Sequence, residues 1–423
     1  MNRTNANEVI GGITTFFTLS YIVIVNPAIL STQGTGMAFS GVLTATVLLS
    51  FLMTLLMGIY GKLPFAVAPG MGINAFFTFT LILGKGIPWQ TALGIVFWAG
   101  VLFLLISLTP IRLKIAGAIP HSLRLASAAG IGIFLTFIGL KNSGFVAADP
   151  VTFVKLGKID AKLLLMLAGL LLAVFLFHKK NPLAFLISIL SVTALGFIFK
   201  QAPLPQGEIF SMPDFQSVFF KLDIWGALKP ALLPAIFAMV LTDLFDSIST
   251  FVGVSEATGL TEKNGQPKNL REGLIVDAWA TLTAGIFGTS SGTAFVESAA
   301  GIESGARTGK ASIVTALCFL PCFFIAPIAS SVPAFATAPV LILVGALMFR
   351  SVLHLPLKNF EDLVPAFLTV VLIPLTFSIT QGLLWGFISH VVLYAVAGRR
   401  KELSPALVAL SAVSAVLLWV EHH

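Results

Sequence analysis

The sequence predicts an all-α polytopic membrane protein with fourteen transmembrane segments, arranged as two inverted repeats of seven. Composition, the succession of apolar segments and the spacing of two interrupted segments lead to this prediction. The 423-residue chain is 57% hydrophobic and only 10% charged, whereas a soluble protein carries about 25% charged residues. Such a chain cannot cover its surface with polar groups, so we expect lipid to be its main solvent.

Fourteen apolar segments follow one another along the chain with short connections. Crossing the hydrocarbon core takes about 20 helical residues. The segments are 9–30, 38–60, 63–84, 88–108, 125–140, 161–177, 182–199, 231–253, 273–288, 289–305, 311–330, 335–349, 365–381 and 382–397. A fifteenth apolar run, 406–420, is short for a crossing, and we expect an interfacial or packed terminal helix there.

Basic residues follow the positive-inside rule when both termini are placed in the cytoplasm. Seventeen of the 25 Lys and Arg residues, including every arginine, then lie on that side: Arg3, Lys62, Arg112, Lys114, Arg124, Lys179, Lys180, Lys263, Lys268, Arg271, Arg307, Lys310, Arg350, Lys358, Arg399, Arg400 and Lys401. These loops account for the net charge of +7 without a nucleic-acid partner. We expect a multi-pass protein of the cytoplasmic (inner) membrane.

Two segments are interrupted by residues that break helices. Pro64, Pro69, Gly70 and Gly72 lie in 63–79, and Gly288, Gly292, Gly301 and Gly305 lie in 288–305. Irregular backbone at membrane depth is tolerated only where protein or a water-filled cavity satisfies its polar groups. Interrupted segments at corresponding places of two halves indicate the binding site of a transporter.

The spacing of the two interruptions indicates an internal repeat. Asn74 follows the first interruption, and Glu297 follows the second 223 positions later. The first and eighth segments begin near residues 9 and 231, which is about the same offset. Because each repeat has an odd number of segments, the two repeats are inverted in the membrane.

Four acidic residues lie well inside predicted segments: Asp243, Asp246, Asp277 and Glu297. Glu303 sits at the very end of the tenth segment, where water can reach it, and is left out. A charge at the bilayer centre costs roughly 2.5–3.5 kcal/mol on insertion scales. No basic residue lies deep in the spans, so a proton, a cation or a ligand is the expected partner. Asp243 and Asp246 share one helix face. We favour function for Asp246 and Glu297 and pairing within the bundle, near Arg271, for Asp277; both interpretations stay open for Asp243.

The chemistry of these groups suggests a flat neutral ligand. Glu297 is predicted at the N-terminus of a half-helix, where free N–H groups favour an anion. Asn74 holds the matching place in the first half, either as an N-cap or as a ligand contact. A carboxylate beside an amide suits a heterocycle rich in N–H and C=O. Two acids in one apolar site can also retain a proton near neutral pH, which gives a route to proton coupling.

Four motifs resemble the AzgA-like purine-base permeases of the nucleobase/ascorbate transporter superfamily. They are "GGITTFFTLSYIVIVNPAIL" (11–30), "APGMGINAFF" (68–77), "TDLFDSISTFVGVSEATGL" (242–260) and "GTSSGTAFVESAAGIESGARTGKAS" (288–312). The resemblance implies a core domain of residues 1–110 and 230–331. It also implies a gate domain of 111–229 and 332–423, the latter with a C-terminal hydrophobic helix. Segments 3 and 10 would each begin with a short strand.

The resemblance further implies a transporter rather than an enzyme, with no catalytic residue, metal or cofactor. It would take up adenine, guanine or hypoxanthine with protons, as an elevator-like carrier. The implied substrate-binding residues are Glu297, Asp246, Asn74, Gly72, Phe295 and Val296. The proton-coupling candidates are Asp246, Asp243 and Glu297. The expected partners are a purine nucleobase, a proton and the lipid bilayer, and a homodimer is left open.

Other functions remain as alternatives. The same fold could carry uracil, xanthine or an anion, or could couple transport to a cation. A channel would need a repeated filter motif, which is not apparent. A membrane-embedded enzyme finds no support in a metal-ligand cluster, because His121, His178, His354 and His390 are scattered. We expect Cys318 and Cys322 to be ordinary apolar helix residues.

Overall fold

The computed structural model describes residues 3–109, 120–204, 208–262, 267–356 and 359–422. The protein is a mostly helical, multi-pass membrane protein. Eight helices within the described ranges are long and apolar enough to cross a membrane. They are Asn5–Leu30, Phe39–Gly61, Trp89–Leu108, His121–Asn142, Ala161–His178, Pro230–Ser255, Ala334–His354 and Ile379–Val396.

The helices and strands follow the predicted segments closely. In the first half they are α1 (Arg3–Leu19), α2 (Ile22–Leu30), α3 (Phe39–Leu56), β1 (Val67–Pro69), α4 (Met71–Ala75), α5 (Trp89–Leu108), α6 (His121–Asn142), β2 (Val146–Asp149), β3 (Phe153–Leu156), α7 (Ala161–His178) and α8 (Ala184–Ile198). Wider helical turns extend α3 through Met57–Gly61 and α4 through Phe76–Gly84.

The second half begins after a linker that ends in two short 3₁₀ turns, Gly226–Leu228 and Pro230–Leu232. Its elements are α9 (Leu233–Thr258), α10 (Leu270–Phe287), β4 (Gly292–Ala294), α11 (Ser298–Glu303), α12 (Gly309–Phe319), α13 (Ala326–Ser330), α14 (Ala334–Phe349), α15 (Phe360–Leu375), α16 (Ile379–Val396) and α17 (Pro405–His422).

The two interrupted segments meet in an antiparallel pair of strands, β1 and β4. The paired residues are Val67 with Ala294, Ala68 with Thr293 and Pro69 with Gly292. All six residues are buried. Each strand is followed by a short helix, α4 or α11, so the prediction of a strand and then a half-helix is confirmed at both places.

Hydroxyl groups from neighbouring helices satisfy the backbone around this pair. Thr54 of α3 donates to the carbonyl of Val67 (3.0 Å) and accepts from its N–H (2.9 Å). Ser298 accepts from the N–H of Ala66 (3.0 Å). Ser312 of α12 donates to the Phe65 carbonyl (2.9 Å). Irregular backbone at membrane depth is therefore held by protein, as its cost requires.

The linker before α9 is hydrogen-bonded to helices of the first half and to α10. Ser40 donates to Asp214 (2.7 Å), Trp98 donates to the Ile224 carbonyl (2.9 Å), and the Asp223 N–H donates to the Gln90 carbonyl (2.8 Å). Burial raises the pKa of Asp214, but hydrogen bonds from Ser217, Ser40 and the backbone outweigh it and hold that pKa below its usual value.

One predicted segment boundary is wrong. The sequence placed it between residues 381 and 382, whereas α15 ends at Leu375 and α16 begins at Ile379. The turn is made by Phe377, whose φ of 52° is left-handed. The hydroxyl of Thr80 donates to the Phe377 carbonyl, which joins the end of the α4 segment to this turn. Pro374 before the turn and Ser378 after it, the N-cap of α16, were the available signals.

Some sequence predictions fall on residues outside the described ranges. These are the loop residues Arg112, Lys114, Lys263 and Lys358 and the domain boundary between residues 110 and 111.

Glycines allow close backbone contact between α6 and α14. A Cβ added at Gly132 would lie 2.5 Å from the carbonyl oxygen of Gly345, and a Cβ at Gly345 would overlap Thr136 and the Gly132 carbonyl. Because the atoms in the way include backbone carbonyl oxygens, a change of side-chain rotamer alone cannot make room for a Cβ at either glycine.

We expect Gly345→Val to lower the free energy of unfolding by about 1–3 kcal/mol, as overpacking does. Gly253→Ala in α9 is the control, because a Cβ at Gly253 meets nothing within 4 Å. An alanine there favours the helix by up to about 1 kcal/mol. Thermal unfolding in detergent measures both changes; equal midpoints for the two variants would contradict the close contact.

Candidate functional site

The chain becomes accessible at the junction between β4 and α11. Val296 is 54% exposed, although the β4 residues just before it are buried. Glu297 is half-buried and occupies the N-cap of α11, as predicted. Among the described residues, the amide of Val296 has no backbone acceptor. A carboxylate and a free amide donor are therefore presented side by side.

Tyr21 is hydrogen-bonded to the carboxylate of Glu297. The sequence did not predict this tyrosine as a site residue. It lies in the break between α1 and α2, and its hydroxyl donates to Glu297 Oε1 (2.8 Å). The ring packs edge-on against Phe185 of α8, with centroids 4.8 Å apart. The chain has three tyrosines, so a tyrosine inside an apolar segment was an available signal.

Asp243 and Asp246 of α9 have different surroundings. Asp246 is half-buried, and its carboxyl interacts electrostatically with that of Glu297. Asp243 is fully buried and accepts hydrogen bonds from Ser291 (2.8 Å) and from Thr281. Residues three apart point about 60° apart around a helix. The helix thus holds Asp243 in the protein interior and leaves Asp246 half-buried on an adjacent part of the same face.

Asp277 of α10 supports β4. Its Oδ2 accepts from the N–H of Ala294 (3.1 Å) and from the Thr293 hydroxyl (3.5 Å). This pairing within the bundle is the interpretation that the sequence favoured, although the partner is the strand and not Arg271. The Oδ1 atoms of Asp277 and Asp243 have no hydrogen-bond partner among the described residues.

The other predicted site residues are held by contacts within the protein. Asn74 is fully buried inside α4 rather than at its N-cap, and its side chain accepts from the Ser290 hydroxyl. Gly72 is half-buried, and a Cβ there would lie 2.6 Å from Ile131 of α6. The N–H of Phe295 donates to the Ala66 carbonyl (3.0 Å). Their contacts with a ligand stay predictions.

The proposed site residues Glu297, Val296, Asp246 and Tyr21 thus come from three separate parts of the chain: the junction after β4, helix α9 and the break between α1 and α2. No set of three or more His, Cys, Asp or Glu within the described ranges is placed to hold one metal ion. Carboxyl, hydroxyl and amide groups beside apolar surface can bind a small polar ligand.

Comparison with known proteins gives consistent relatives over nearly the whole chain. The family model Xan_ur_permease, described as "Permease family", matches residues 6–384. A putative permease of Methanocaldococcus jannaschii is 42% identical over 93% of this chain and 90% of its own. Adenine permease AdeP of Escherichia coli (strain K12) is 38% identical over 96% and 91%. Guanine/hypoxanthine permease PbuO of Bacillus subtilis (strain 168) is 37% identical over 98% and 96%.

A solved structure shares the fold at low sequence identity. The transmembrane domain of the cyanobacterial bicarbonate transporter BicA superposes with a TM-score of 0.67 at 17% identity. The match covers 91% of this chain and 98% of that domain. At this identity the likeness concerns the fold alone.

The buried bond between Ser291 and Asp243 leads to a stability prediction. We expect Ser291→Ala to lower the free energy of unfolding by about 1–3 kcal/mol, because a buried carboxyl loses a donor. The control is Ser389→Ala in α16, where the hydroxyl contacts only backbone of its own helix and a change within about 0.5 kcal/mol is expected. Chemical unfolding measures the free energy of unfolding of both variants. Equal stabilities would contradict the hydrogen bond between Ser291 and Asp243.

Proposed function

The chain belongs to the permease family Xan_ur_permease, and from this premise we propose that it takes up purine nucleobases across the cytoplasmic membrane. It is a transporter and not an enzyme. Relatives named as adenine permease and as guanine/hypoxanthine permease align with at least 96% of the chain. Adenine, guanine and hypoxanthine are therefore the proposed substrates.

The observation that carries this proposal is the half-buried Glu297 carboxyl next to the exposed residue Val296, whose amide has no backbone acceptor among the described residues. A purine ring offers N–H donors to the Glu297 carboxylate and ring-nitrogen or carbonyl acceptors to the Val296 amide. Tyr21 fixes one oxygen of Glu297. The half-buried Asp246 carboxyl would supply a second group for the base. Asn74, Gly72 and Phe295 would act as the buried support of this site.

Proton coupling is proposed from the same carboxyls. Two acids that interact electrostatically in an apolar site do not both ionise readily, so one of Asp246 and Glu297 can carry a proton. Asp243 has an unpaired buried oxygen next to two hydroxyl donors and is the alternative carrier. A protonatable group in the substrate path links the flow of protons to the flow of base.

Transport would use two inverted repeats of seven segments that form a core and a gate. The core (1–110 and 230–331) contains both strands and the four acids, and the gate comprises 111–229 and 332–423. The β1–β4 pair ties the binding groups together, so moving them as one body costs less than separating them. We place the N-terminus, Lys62 and Lys179 on the cytoplasmic side of the membrane.

Glu297→Gln should abolish transport while the protein still folds. The substitution keeps size but loses the charge that accepts from the base. A buried hydrogen bond to a charged group contributes about 1.5–3 kcal/mol, so affinity should fall roughly ten- to a hundredfold. Glu303→Gln, at the exposed end of the same helix, is the matched control and should transport normally.

Counterflow of labelled adenine in proteoliposomes measures this, with guanine, hypoxanthine, xanthine and uracil as competitors. Wild-type binding by Glu297→Gln would remove Glu297 from the site. Competition by uracil or xanthine alone would refute the choice of purine substrates.

Uptake should require a pH gradient, with the inside alkaline, and should collapse with a protonophore. We expect Asp246→Asn to bind base but to lose accumulation, because the neutral amide cannot exchange a proton. Asp243→Asn is the parallel variant that decides between the two carriers. Uptake that follows a sodium gradient and ignores pH would instead make these carboxyls a cation site.

If the core moves against the gate as one body, distances within the core should stay constant and distances between core and gate should change. Spin labels at Ile59 and Ser304, both in the core and exposed, should keep their separation with and without base. Labels at Ser304 and Lys179 join core to gate and should change by several ångströms. Pulsed electron spin resonance measures both pairs. A changing core pair with a constant core–gate pair would overturn the rigid core.

A further inference from the structure

We propose that α17 crosses the membrane as an additional segment beyond the two repeats, with lipid acyl chains covering its outer face. The chain would then leave the membrane on the side opposite to the loop that precedes α17. This placement differs from the interfacial or packed terminal helix, and from the two cytoplasmic termini, that the sequence suggested. It rests on the position and chemistry of α17 and is independent of the substrate.

The N-terminal end of α17 starts in water. α16 ends at Val396, and Gly398, with φ of 76°, turns the chain. Arg399 then pairs with Glu402 at 2.6 Å. Arg400 and Lys401 extend this charged turn, and Lys401 is exposed. A cluster of charges of this kind lies outside the hydrocarbon core.

The far end of α17 reaches the opposite face. α17 packs along α16 and also contacts the turn Pro230–Leu232 that leads into α9. That turn ends the linker whose Asp223 binds the Gln90 carbonyl at the start of α5. Thr80, shortly before α5, bonds to Phe377 at the start of α16. The beginning of α16 and the turn before α9 therefore lie on one face, and the Arg399–Glu402 turn lies on the other.

Length agrees with a crossing between these faces. α17 has 18 residues, which span about 27 Å at 1.5 Å per residue. The hydrocarbon core is about 30 Å thick. The short helix α8, with 15 residues, is a predicted crossing of the same chain.

The two faces of α17 identify what covers them. Leu407, Ser411, Ser414 and Leu418 are buried against the protein, at helical spacing. Val408, Val413, Val416 and Trp419 are exposed by 43–63%. No charged residue occurs between Glu402 and Glu421. An interfacial helix needs a strongly polar or charged face, which α17 lacks, so hydrocarbon is the chemistry that fits its outer face. Trp419, near the far end, suits a membrane–water boundary.

This position places α17 at the boundary of the two proposed domains. It packs along α16 of the gate and touches α9, the core helix that carries Asp246. If α9 moves relative to α16, one of these two helices must therefore slide along α17.

Labelling of single cysteines in the full chain tests the crossing. Cys318 and Cys322 are first replaced by alanine, and the base uptake of this background is confirmed. A cysteine appended after His423 should react with a membrane-impermeant maleimide from outside intact cells. Lys401→Cys and Lys179→Cys should react only in inverted vesicles. Reaction of the appended cysteine and of Lys401→Cys from the same side would overturn the crossing.

Depth measurement tests the lipid cover separately. Fluorophores on Val408→Cys, Val413→Cys and Trp419→Cys are quenched by lipids that carry nitroxides at different depths. A crossing predicts strong quenching of the central position by deep nitroxides and of the two end positions by shallow ones. Uniformly shallow quenching would show an interfacial helix. A central position shielded from all lipid quenchers would show that protein, such as a second copy, covers this face. Either result refutes the proposal.

Discussion

The pairing of β1 with β4 is the constraint on which the rest of this structure depends. An interrupted backbone inside a membrane must find hydrogen-bond partners within the protein, and two short strands that begin at Val67 and Gly292 supply them for each other. Three residues per strand are not enough alone, so Thr54, Ser298 and Asp277 complete the bonding from neighbouring elements. The helices that carry these groups are thereby fixed around the strands.

The same constraint separates the acidic residues into different roles. Asp277 bonds to the backbone of β4, and Asp243 bonds to hydroxyls of Thr281 and Ser291. Both are fully buried and hold the interior together. Asp246 and Glu297 are only half-buried. In the proposed site, buried groups would thus position the more accessible ones, which is the usual way a rigid binding site is built.

Sequence predicted those features that local chemistry determines. Prolines and glycines predicted both interrupted segments. The position of Glu297 at a helix N-terminus followed because a helix had to begin after the second interruption. The choice between Asp243 and Asp246 could not follow, because it depends on how α9 is rotated against α10 and β4. Tyr21 was missed for a similar reason, since its partner Glu297 is 276 positions away. The turn at Phe377 was missed although Pro374 lies shortly before it in the apolar run.

The half-burial of Asp246 and Glu297 inside predicted membrane segments has an electrical consequence. Water that reaches such a group carries the potential of one face into the membrane, so the voltage falls mainly across the part that stays closed to water. A unit charge that traverses the whole voltage gains or loses about 2.3 kcal/mol per 100 mV. A proton on Glu297 or Asp246 would experience much of this over a short distance, which makes the resting potential itself a driving force.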